Sequence, residues 1–369
     1  MTMPEYFLTF VILAIVAAAF YLVYDRYLNK PVRMESDLYI EALRDLLDGL
    51  EESAFTKLRQ VVTEDPSNVD AYIRLGRILR DNKRPERALQ VHKDLTLRDG
   101  LDDRDKAWIL HELYEDYTAM GDLDMAQKAL MELVTLRSRD RWAVVRLLEI
   151  QKKLHAWDDA YNTAVMLLRI EGNKSKKPLA AFKYYQGEEH YKQREYHKAR
   201  ILFKEALGFD PSHVASYLAI GDSYHDEKRH EDAVNFWKKL ISTVPNQGHQ
   251  VIERLKKTLF DLGRYGEIHS ICEEILKHAP RNRDARLCLA EFHKKKGDTD
   301  VAEEILSNIV SDFPQDMKAV TELIRIYLEK NDTARIRELV GTLENKEQIQ
   351  QFRSSSKIVD TSLIGITEE

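Results

Sequence analysis

The side chains with the best spacing for metal chemistry are two histidines and two aspartates in the middle of the sequence. His225 and His230 lie five residues apart, and Asp222 and Asp226 stand close to the first of them. On a helix, positions 222, 225 and 226 share one face, so these groups have the types and spacing to ligate one divalent cation. Surface histidines and acids are also common in turns between helices, and that interpretation is favoured.

Other motifs of catalysis are absent from the sequence. It contains no glycine-rich phosphate loop, no H-E-x-x-H and no G-x-S-x-G. Cys272 and Cys288 form no C-x-x-C pair, and each falls in an apolar helical pattern that is typical of a core residue. The net charge of −6 does not favour nucleic acid as the main partner. We therefore expect a protein without a cofactor that is not an enzyme.

A second set of side chains indicates protein binding instead. Four acids recur at intervals of 34 to 39 residues, and four aromatic residues surround them in sequence. The acids are Glu115, Glu149, Glu188 and Asp222, and the aromatic residues are Trp108, Trp142, Tyr184 and Tyr191. An acidic groove with exposed aromatic rings favours a basic or amphipathic peptide. The alternative is that glutamate is an ordinary helix former and that the run of acids arose by chance.

The elements that carry these residues are predicted by a repeat of alanines, each with an apolar residue three or four positions later. Successive spacings are 34, 38, 34, 39, 34 and 69 residues. The alanines are Ala54, Ala88, Ala126, Ala160, Ala199, Ala233 and Ala302. A period of 34 is the length of a tetratricopeptide unit, a helix-turn-helix whose first helix lines the concave face of the stack. The pattern predicts an all-α, right-handed solenoid of about nine helix pairs over residues 35–344.

The sixth unit, from Val214, matches the pattern best. It has Gly221 at the small position of its first helix and Trp237 at the large position of its second helix. The second unit has Gly76 and His92 at the same two positions, and we interpret His92 as a packed side chain rather than a ligand. Two insertions, at residues 99–106 and 172–178, interrupt the period. The second insertion is basic. We favour its interpretation as a solvated loop over one in which it contacts anionic lipid or an acidic partner.

The beginning of the chain predicts a membrane anchor. Residues 6–24 contain no charged side chain. A segment of this length can cross a bilayer as a helix. A cleaved signal peptide and a buried core helix are the alternatives, but Glu5 precedes the apolar run and no helical periodicity interrupts it. Arg26, Lys30 and Arg33 follow it, which places the body of the protein on the cytoplasmic side. Residues 1–5 are then a short N-terminal segment, 25–34 a basic linker and 345–369 a polar tail.

The first repeats carry a family resemblance. Residues 39–47 read YIEALRDLL, 64–76 read EDPSNVDAYIRLG, and 87–93 read RALQVHK. After an N-terminal span and a basic stretch, these segments resemble the lipopolysaccharide assembly protein B family. The resemblance implies a membrane scaffold that brings a membrane AAA protease to a lipid-A biosynthesis enzyme. It also implies a single-pass protein of the inner membrane, with its repeats in the cytoplasm.

One departure from that family concerns its C-terminal rubredoxin-like zinc module, which has two C-x-x-C pairs. This sequence has no such pair, so no zinc-ligand residue can be carried over. A different client is therefore the alternative: a general tetratricopeptide scaffold for another envelope or secretion complex. An enzyme with a metal site at Asp222 and His225 is the least favoured interpretation.

Overall fold

The computed structural model describes residues 37–341 and the isolated positions 16 and 18. All regular structure within these residues is helical, with no strand. The predicted linker and polar tail lie outside the described residues, as does the predicted anchor apart from those two positions. Among the residues that are described, no helix is both long enough and apolar enough to cross a bilayer.

The chain divides into two compact units, Met1–Ile150 and Gln151–Glu369. In the first unit, each helix between residues 37 and 136 packs on the next. The helices are α1 (Asp37–Leu47), α2 (Glu51–Glu64), α3 (Val69–Asp81), α4 (Pro85–Thr96), α5 (Asp103–Met120) and α6 (Leu123–Leu136), followed by α7 (Arg141–Lys153), which crosses the unit boundary. This is the stacking of helix pairs that the 34-residue period predicts.

The second unit repeats the arrangement. Its helices are α8 (Trp157–Ile170), α9 (Ala180–Lys192), α10 (Tyr196–Phe209), α11 (Val214–Asp226), α12 (His230–Thr243), α13 (Ile252–Asp261), α14 (Glu267–His278), α15 (Arg283–Lys296), α16 (Thr299–Asp312) and α17 (Met317–Glu329). Residues 333–341 are also helical. The seventh pair has a short first helix, α13, preceded by a 3-10 segment, Pro245–Val251.

Some pairs are tightened where a glycine on the first helix faces a ring on the second. A Cβ atom placed on Gly76 would lie 2.3 Å from Nε2 of His92, and one on Gly221 would lie 2.1 Å from Nε1 of Trp237. Both distances are far below van der Waals contact, so only glycine leaves room for the ring. The small and large positions read from the sequence are therefore confirmed, and His92 occupies the aromatic position.

The turns inside the pairs share one backbone feature, a residue with positive φ. Gly49, Gly121, Gly263 and Gly297 hold that place in four turns, with φ between 68° and 92°, as C-terminal glycines do. Other turns use residues with side chains: Lys83, His155, Arg194, Lys228 and Asn331, with φ between 55° and 64°. A left-handed conformation costs an L-residue about 1 kcal/mol. The helix packing therefore imposes the turn even where the residue type opposes it.

Candidate protein-binding surfaces

In the first unit, the predicted aromatic residues lie on α5 and α7. Trp142 of α7 stacks on His111 of α5, with ring centroids 4.2 Å apart and planes inclined by 25°. The edge of Tyr114 also meets Trp142, at 5.5 Å. Trp108 is half-buried further toward the N-terminus of α5, and the guanidinium of Arg104 lies 4.6 Å from its ring. Trp142 is therefore part of an aromatic contact between two first helices.

The two predicted acids of the first unit differ in their surroundings. Glu149 is exposed, and its Oε2 lies 2.8 Å from Nη1 of Arg146 on the same helix. Glu115 is half-buried beside Tyr114. Burial raises the pKa of the Tyr114 hydroxyl, and the negative charge of Glu115 raises it further. The charge of Glu149 is thus partly balanced within α7.

In the second unit, two predicted tyrosines each donate a hydrogen bond to an acid. The hydroxyl of Tyr184 donates to Oε1 of Glu188 at 2.7 Å, and that of Tyr191 donates to Oδ2 of Asp226 at 2.5 Å. Burial, and then these carboxylates, raise the pKa of both tyrosines. Tyr184 and Glu188 lie one turn apart on α9, so the sequence prediction that they share a surface is consistent with their positions.

Two aromatic residues beside them were not predicted. Tyr185 is 39% exposed and stacks on Trp157, with centroids 4.3 Å apart and planes inclined by 15°. Its ring also meets Tyr184 at 5.5 Å. The four residues Trp157, Tyr184, Tyr185 and Glu188 are called the α9 cluster below. The density of aromatic residues in this part of the sequence could have indicated them. Trp157, however, lies on the second helix of its pair, which the repeat pattern does not assign to the binding face.

Asp222, the fourth predicted acid, is held by an arginine from the next repeat. Nε and Nη2 of Arg254 donate to its two carboxylate oxygens at 2.7 and 3.0 Å. This hydrogen bonding raises the pKa of Arg254. Asp222 therefore adds no uncompensated negative charge to its surface. The partner stands 32 residues away, so the sequence alone did not reveal it.

The residues considered for metal binding are also engaged with other groups. Nδ1 of His225 lies 3.2 Å from Nδ1 of His230, while Asp222 binds Arg254 and Asp226 binds Tyr191. Burial, and then the neighbouring His230, lower the pKa of His225. Within the part of the chain that the structure describes, no three histidine, cysteine or acidic side chains are arranged to hold a metal ion.

The first unit also contains a buried ionic cluster that sequence reasoning missed. Glu112 and Asp116 of α5 are fully buried. Arg80 of α3 reaches both acids, with Nη2 at 2.9 Å from Glu112 and Nη1 at 2.8 Å from Asp116. Arg77 donates to Glu112 at 2.6 Å. The cluster joins α3 to α5, and its signal in the sequence is a pair of acids four residues apart, which lie on one face of α5.

His92 completes this cluster from α4. Its Nδ1 lies 2.5 Å from Asp116, and its Nε2 lies 3.2 Å from the carbonyl oxygen of Ile73. Both ring nitrogens are therefore engaged with groups inside the core. Burial raises the pKa of Glu112, but hydrogen bonds from His111, Arg77 and Arg80 outweigh this and hold it well below its usual range. His92 is thus structural, as interpreted from the sequence.

An apolar pocket of about 690 Å³ opens beside the first insertion. It lies between the end of α4, the start of α5 and the second half of α6. The lining residues are Thr96, Arg98, Leu101, Lys106, Ile109, Leu110, Met131, Glu132, Thr135 and Leu136. The insertion supplies Leu101 and Lys106, and its second half is helical because α5 begins at Asp103. The inserted residues therefore both extend a helix and form one wall of a cavity.

A smaller groove of about 460 Å³ lies between α14, α15 and α16 of the second unit. It is lined by Leu276, Arg281, Arg286, Leu289, Ile305, Asn308, Ser311 and Asp312. Nη1 of Arg286 meets Oδ2 of Asp312 at 2.7 Å. This groove is therefore bridged by an ion pair.

Comparisons with known proteins agree with this architecture. Two tetratricopeptide-repeat family models match residues 184–245 and 259–325. Lipopolysaccharide assembly protein B of Escherichia coli (strain K12) is 20% identical over 307 residues, which cover 83% of this chain and 78% of that protein. The protein of the same name from Haemophilus influenzae is 23% identical over 54% of this chain and 50% of its own length. The crystal structure of the P58(IPK) TPR domain aligns over 80% of this chain and 99% of its own, with 14% identity and a TM-score of 0.32. By the sequence matches, the chain carries tetratricopeptide repeats at residues 184–245 and 259–325 and is similar to lipopolysaccharide assembly protein B.

Proposed function

We propose that this protein is a non-enzymatic, membrane-anchored scaffold that binds other proteins through the first-helix faces of its repeats. The observation that carries the proposal is the α9 cluster. There, an exposed ring of Tyr185 lies on Trp157 while the carboxylate of Glu188 accepts from Tyr184. Large rings held in place by their neighbours are typical anchors of protein interfaces, because they bury much area and lose little conformational entropy.

The chemistry of the α9 cluster favours a basic segment of the partner. Within the described residues, Glu188 is bound by a neutral hydroxyl rather than by a cation, so its charge is open to a lysine or arginine of the partner. An arginine can also lie over an aromatic face such as that of Tyr185. In the first unit, Trp142 with Glu115 offers a similar combination.

The cellular role follows from the relatives rather than from the site. We infer that the protein acts in regulation of lipopolysaccharide synthesis, by bringing a membrane AAA protease to a lipid-A biosynthesis enzyme. The relative in Escherichia coli is a lipopolysaccharide assembly protein, and it supports this role by similarity over most of the chain. The predicted anchor at 6–24 would hold the repeats on the cytoplasmic side of the inner membrane.

A second candidate is a general scaffold for another envelope or secretion complex. The same aromatic and acidic surfaces suit either role, since neither the chemistry of the α9 cluster nor that of Trp142 names a client. The two candidates are separated by the identity of the partner.

Photo-crosslinking in native membranes tests the proposal. A photoreactive residue replaces Tyr184 or Trp142 in the full chain, and mass spectrometry identifies the captured proteins. Lys204, exposed on α10, is the control position. We expect a membrane protease together with a lipid-A pathway enzyme at the two test positions. Envelope or secretion components without a protease would favour the second candidate. Identical capture at Lys204 would contradict binding through these surfaces.

Charge reversal sharpens the test of partner chemistry. Glu188→Lys should weaken capture of the partner by about fivefold, corresponding to ~1 kcal/mol for one ion pair at a protein surface. Glu304→Lys, at an exposed site on α16, is the matched control and should leave capture unchanged. Affinity measured with the captured partner decides the point, and equal affinities for both variants would remove Glu188 from the binding surface.

A further inference from the structure

The pocket of the first unit and the groove of the second are built from equivalent positions of the repeat. Leu110 and Arg286 each stand three residues after the start of their unit, at Ala107 and Arg283. Leu136 and Asp312 each stand 29 residues after the same starts. All four line their own cavity. Two leucines in the third repeat thus replace the two charged residues of the eighth.

This replacement changes what each cavity can hold. The ion pair of Arg286 and Asp312 crosses the groove of the second unit and satisfies both charges locally. Leu110 and Leu136 cannot make such a bridge, and they present aliphatic surface to the pocket together with Leu101, Ile109 and Met131. The pocket of about 690 Å³ falls within the ~300–1,000 Å³ typical of small-molecule sites, which are mostly apolar with a few polar groups.

The polar groups of the pocket are chiefly cationic. Arg98 donates to the carbonyl oxygen of Pro66 at 2.6 Å, and its guanidinium lies 4.2 Å from the ring of Tyr72. Both partners are neutral, so they orient the guanidinium without balancing its charge. Lys106 is exposed, and in the described part of the chain neither cation is paired with a carboxylate. Glu132 is the acid in the lining, which leaves a net positive charge among the three ionised side chains.

We propose that this pocket binds an amphiphile with one aliphatic chain and an anionic head group, either a carboxylate or a phosphate. The chain would lie against Leu110, Met131 and Leu136, and the head group would face Arg98 and Lys106. Each methylene group that leaves water adds to the affinity, so the apolar wall supplies most of it. The site lies apart from the α9 cluster in sequence and unit, and the inference does not depend on the proposed scaffold function.

Photoaffinity labelling of the full chain in membranes tests the proposal. The probes are a diazirine analogue of palmitic acid and a diazirine-bearing lysophosphatidic acid, each with one aliphatic chain, and mass spectrometry maps the labelled peptides. We expect labelling on the residues that line the pocket, competed more strongly by excess palmitate than by its uncharged methyl ester. Labelling by the first probe alone identifies a free fatty acid as the source, and labelling by the second alone identifies a membrane lipid. Failure of both probes to label the pocket would overturn the proposal.

Variants make the test specific to the pocket. The double variant L110R/L136D copies the ion pair of the eighth repeat and should reduce labelling at least tenfold. Met131→Trp fills the mouth at a site that is 47% exposed, and it should do the same without disturbing the core. The reciprocal variant R286L/D312L, in the second unit, should leave labelling of the pocket unchanged. Each variant is used only if its circular dichroism and melting match wild type, and labelling that persists in Met131→Trp would contradict the site.

Lys106→Gln examines the head group separately. It should lower labelling by the fatty-acid probe about threefold, the size of a surface ion pair, while labelling by a methyl-ester probe stays constant. Equal losses for both probes would show that Lys106 contributes no charge recognition, and would overturn the anionic part of the proposal.

Discussion

His92 and Trp237 occupy the same position of two repeats and reveal two ways to fill the same space. Each ring lies against a glycine of the paired helix, Gly76 or Gly221. Each also reaches the carbonyl oxygen of the residue three positions before that glycine, at 3.2 Å for His92 and 3.4 Å for Trp237. Beyond this point the two regions differ in what surrounds the ring.

Trp237 is enclosed by apolar side chains such as Leu240, Leu255 and Ile268. His92 has a second polar nitrogen, so it requires Asp116, and buried Asp116 in turn requires Arg80. A histidine in place of tryptophan at this core position is thus accompanied by charged partners on two further helices. The comparison teaches that the repeat conserves shape at this position, while the source of stability changes from hydrophobic burial to paired charge.

The largest expected effect is on the apolar version. Trp237→Ala removes a fully buried ring and leaves a cavity, which should lower the free energy of unfolding by about 4 kcal/mol. Urea denaturation followed by circular dichroism measures the loss, and hydrogen exchange shows whether it is confined to the second unit. A loss below ~1 kcal/mol would mean that the surrounding helices close over the cavity.

A somewhat smaller loss of stability is expected when the buried ionic cluster around His92 loses one of its acids. Glu112→Gln leaves Arg77 and Arg80 without their shared carboxylate and should destabilise the first unit by about 3 kcal/mol. Glu149→Gln, which removes an exposed acid paired with Arg146, is the control and should change stability by less than ~1 kcal/mol. Similar losses in the two variants would show that burial of the cluster does not matter.

The glycines give a third test, in which both regions should respond alike. Gly76→Ala and Gly221→Ala each force a methyl group into a ring and should destabilise by about 2 kcal/mol. Gly208→Ala, within α10, meets no atom within 4 Å and should stabilise by about 0.5 kcal/mol. Thermal melting of the three variants checks the signs. A neutral Gly76→Ala would indicate that His92 can move aside where Trp237 cannot.

The smallest expected effect is on the pH dependence of stability, which should differ between the His92 region and the Trp237 region. The folded pKa of Glu112 lies below its unfolded value of about 4.3, so its stabilising contribution is complete above that value. The contribution is lost progressively as the pH falls through 4 toward the folded pKa. Glu112→Gln should flatten this dependence in the first unit, as measured by hydrogen exchange between pH 5 and 3. An unchanged slope would assign the acid sensitivity to other carboxylates.

Much of the fold followed from the sequence because repeat positions constrain each other locally. Gly221 and Trp237 stand 16 residues apart within one helix pair, and their contact is a property of that pair. The glycine turn at Gly121 likewise depends on one helix end. These features need no knowledge of the neighbouring repeats.

The electrostatics of the candidate sites could not be predicted in the same way. Asp222 meets Arg254 of the following repeat, and Glu112 meets Arg77 of the preceding one. These ion pairs form between neighbouring helix pairs. The repeat pattern does not specify which side chains meet there. The sequence therefore identified Tyr184 and Glu188 on one helix but overstated the negative charge contributed by Asp222. The α9 cluster was incomplete for the same reason, since Trp157 comes from the preceding helix pair.

The left-handed turn residues have a practical consequence for anyone who wishes to engineer this protein. Lys83, His155, Arg194, Lys228 and Asn331 hold a conformation that glycine adopts without steric penalty. All five side chains are exposed and lie in the turns, outside the helices. The ring of His155 contacts Trp157 of the α9 cluster, so it is left in place. Replacing the other four one at a time provides a graded series of thermostabilities on an unchanged binding surface. Such a series would let the rate at which a repeat protein is degraded in the cell be compared with its stability alone, with partner affinity held constant.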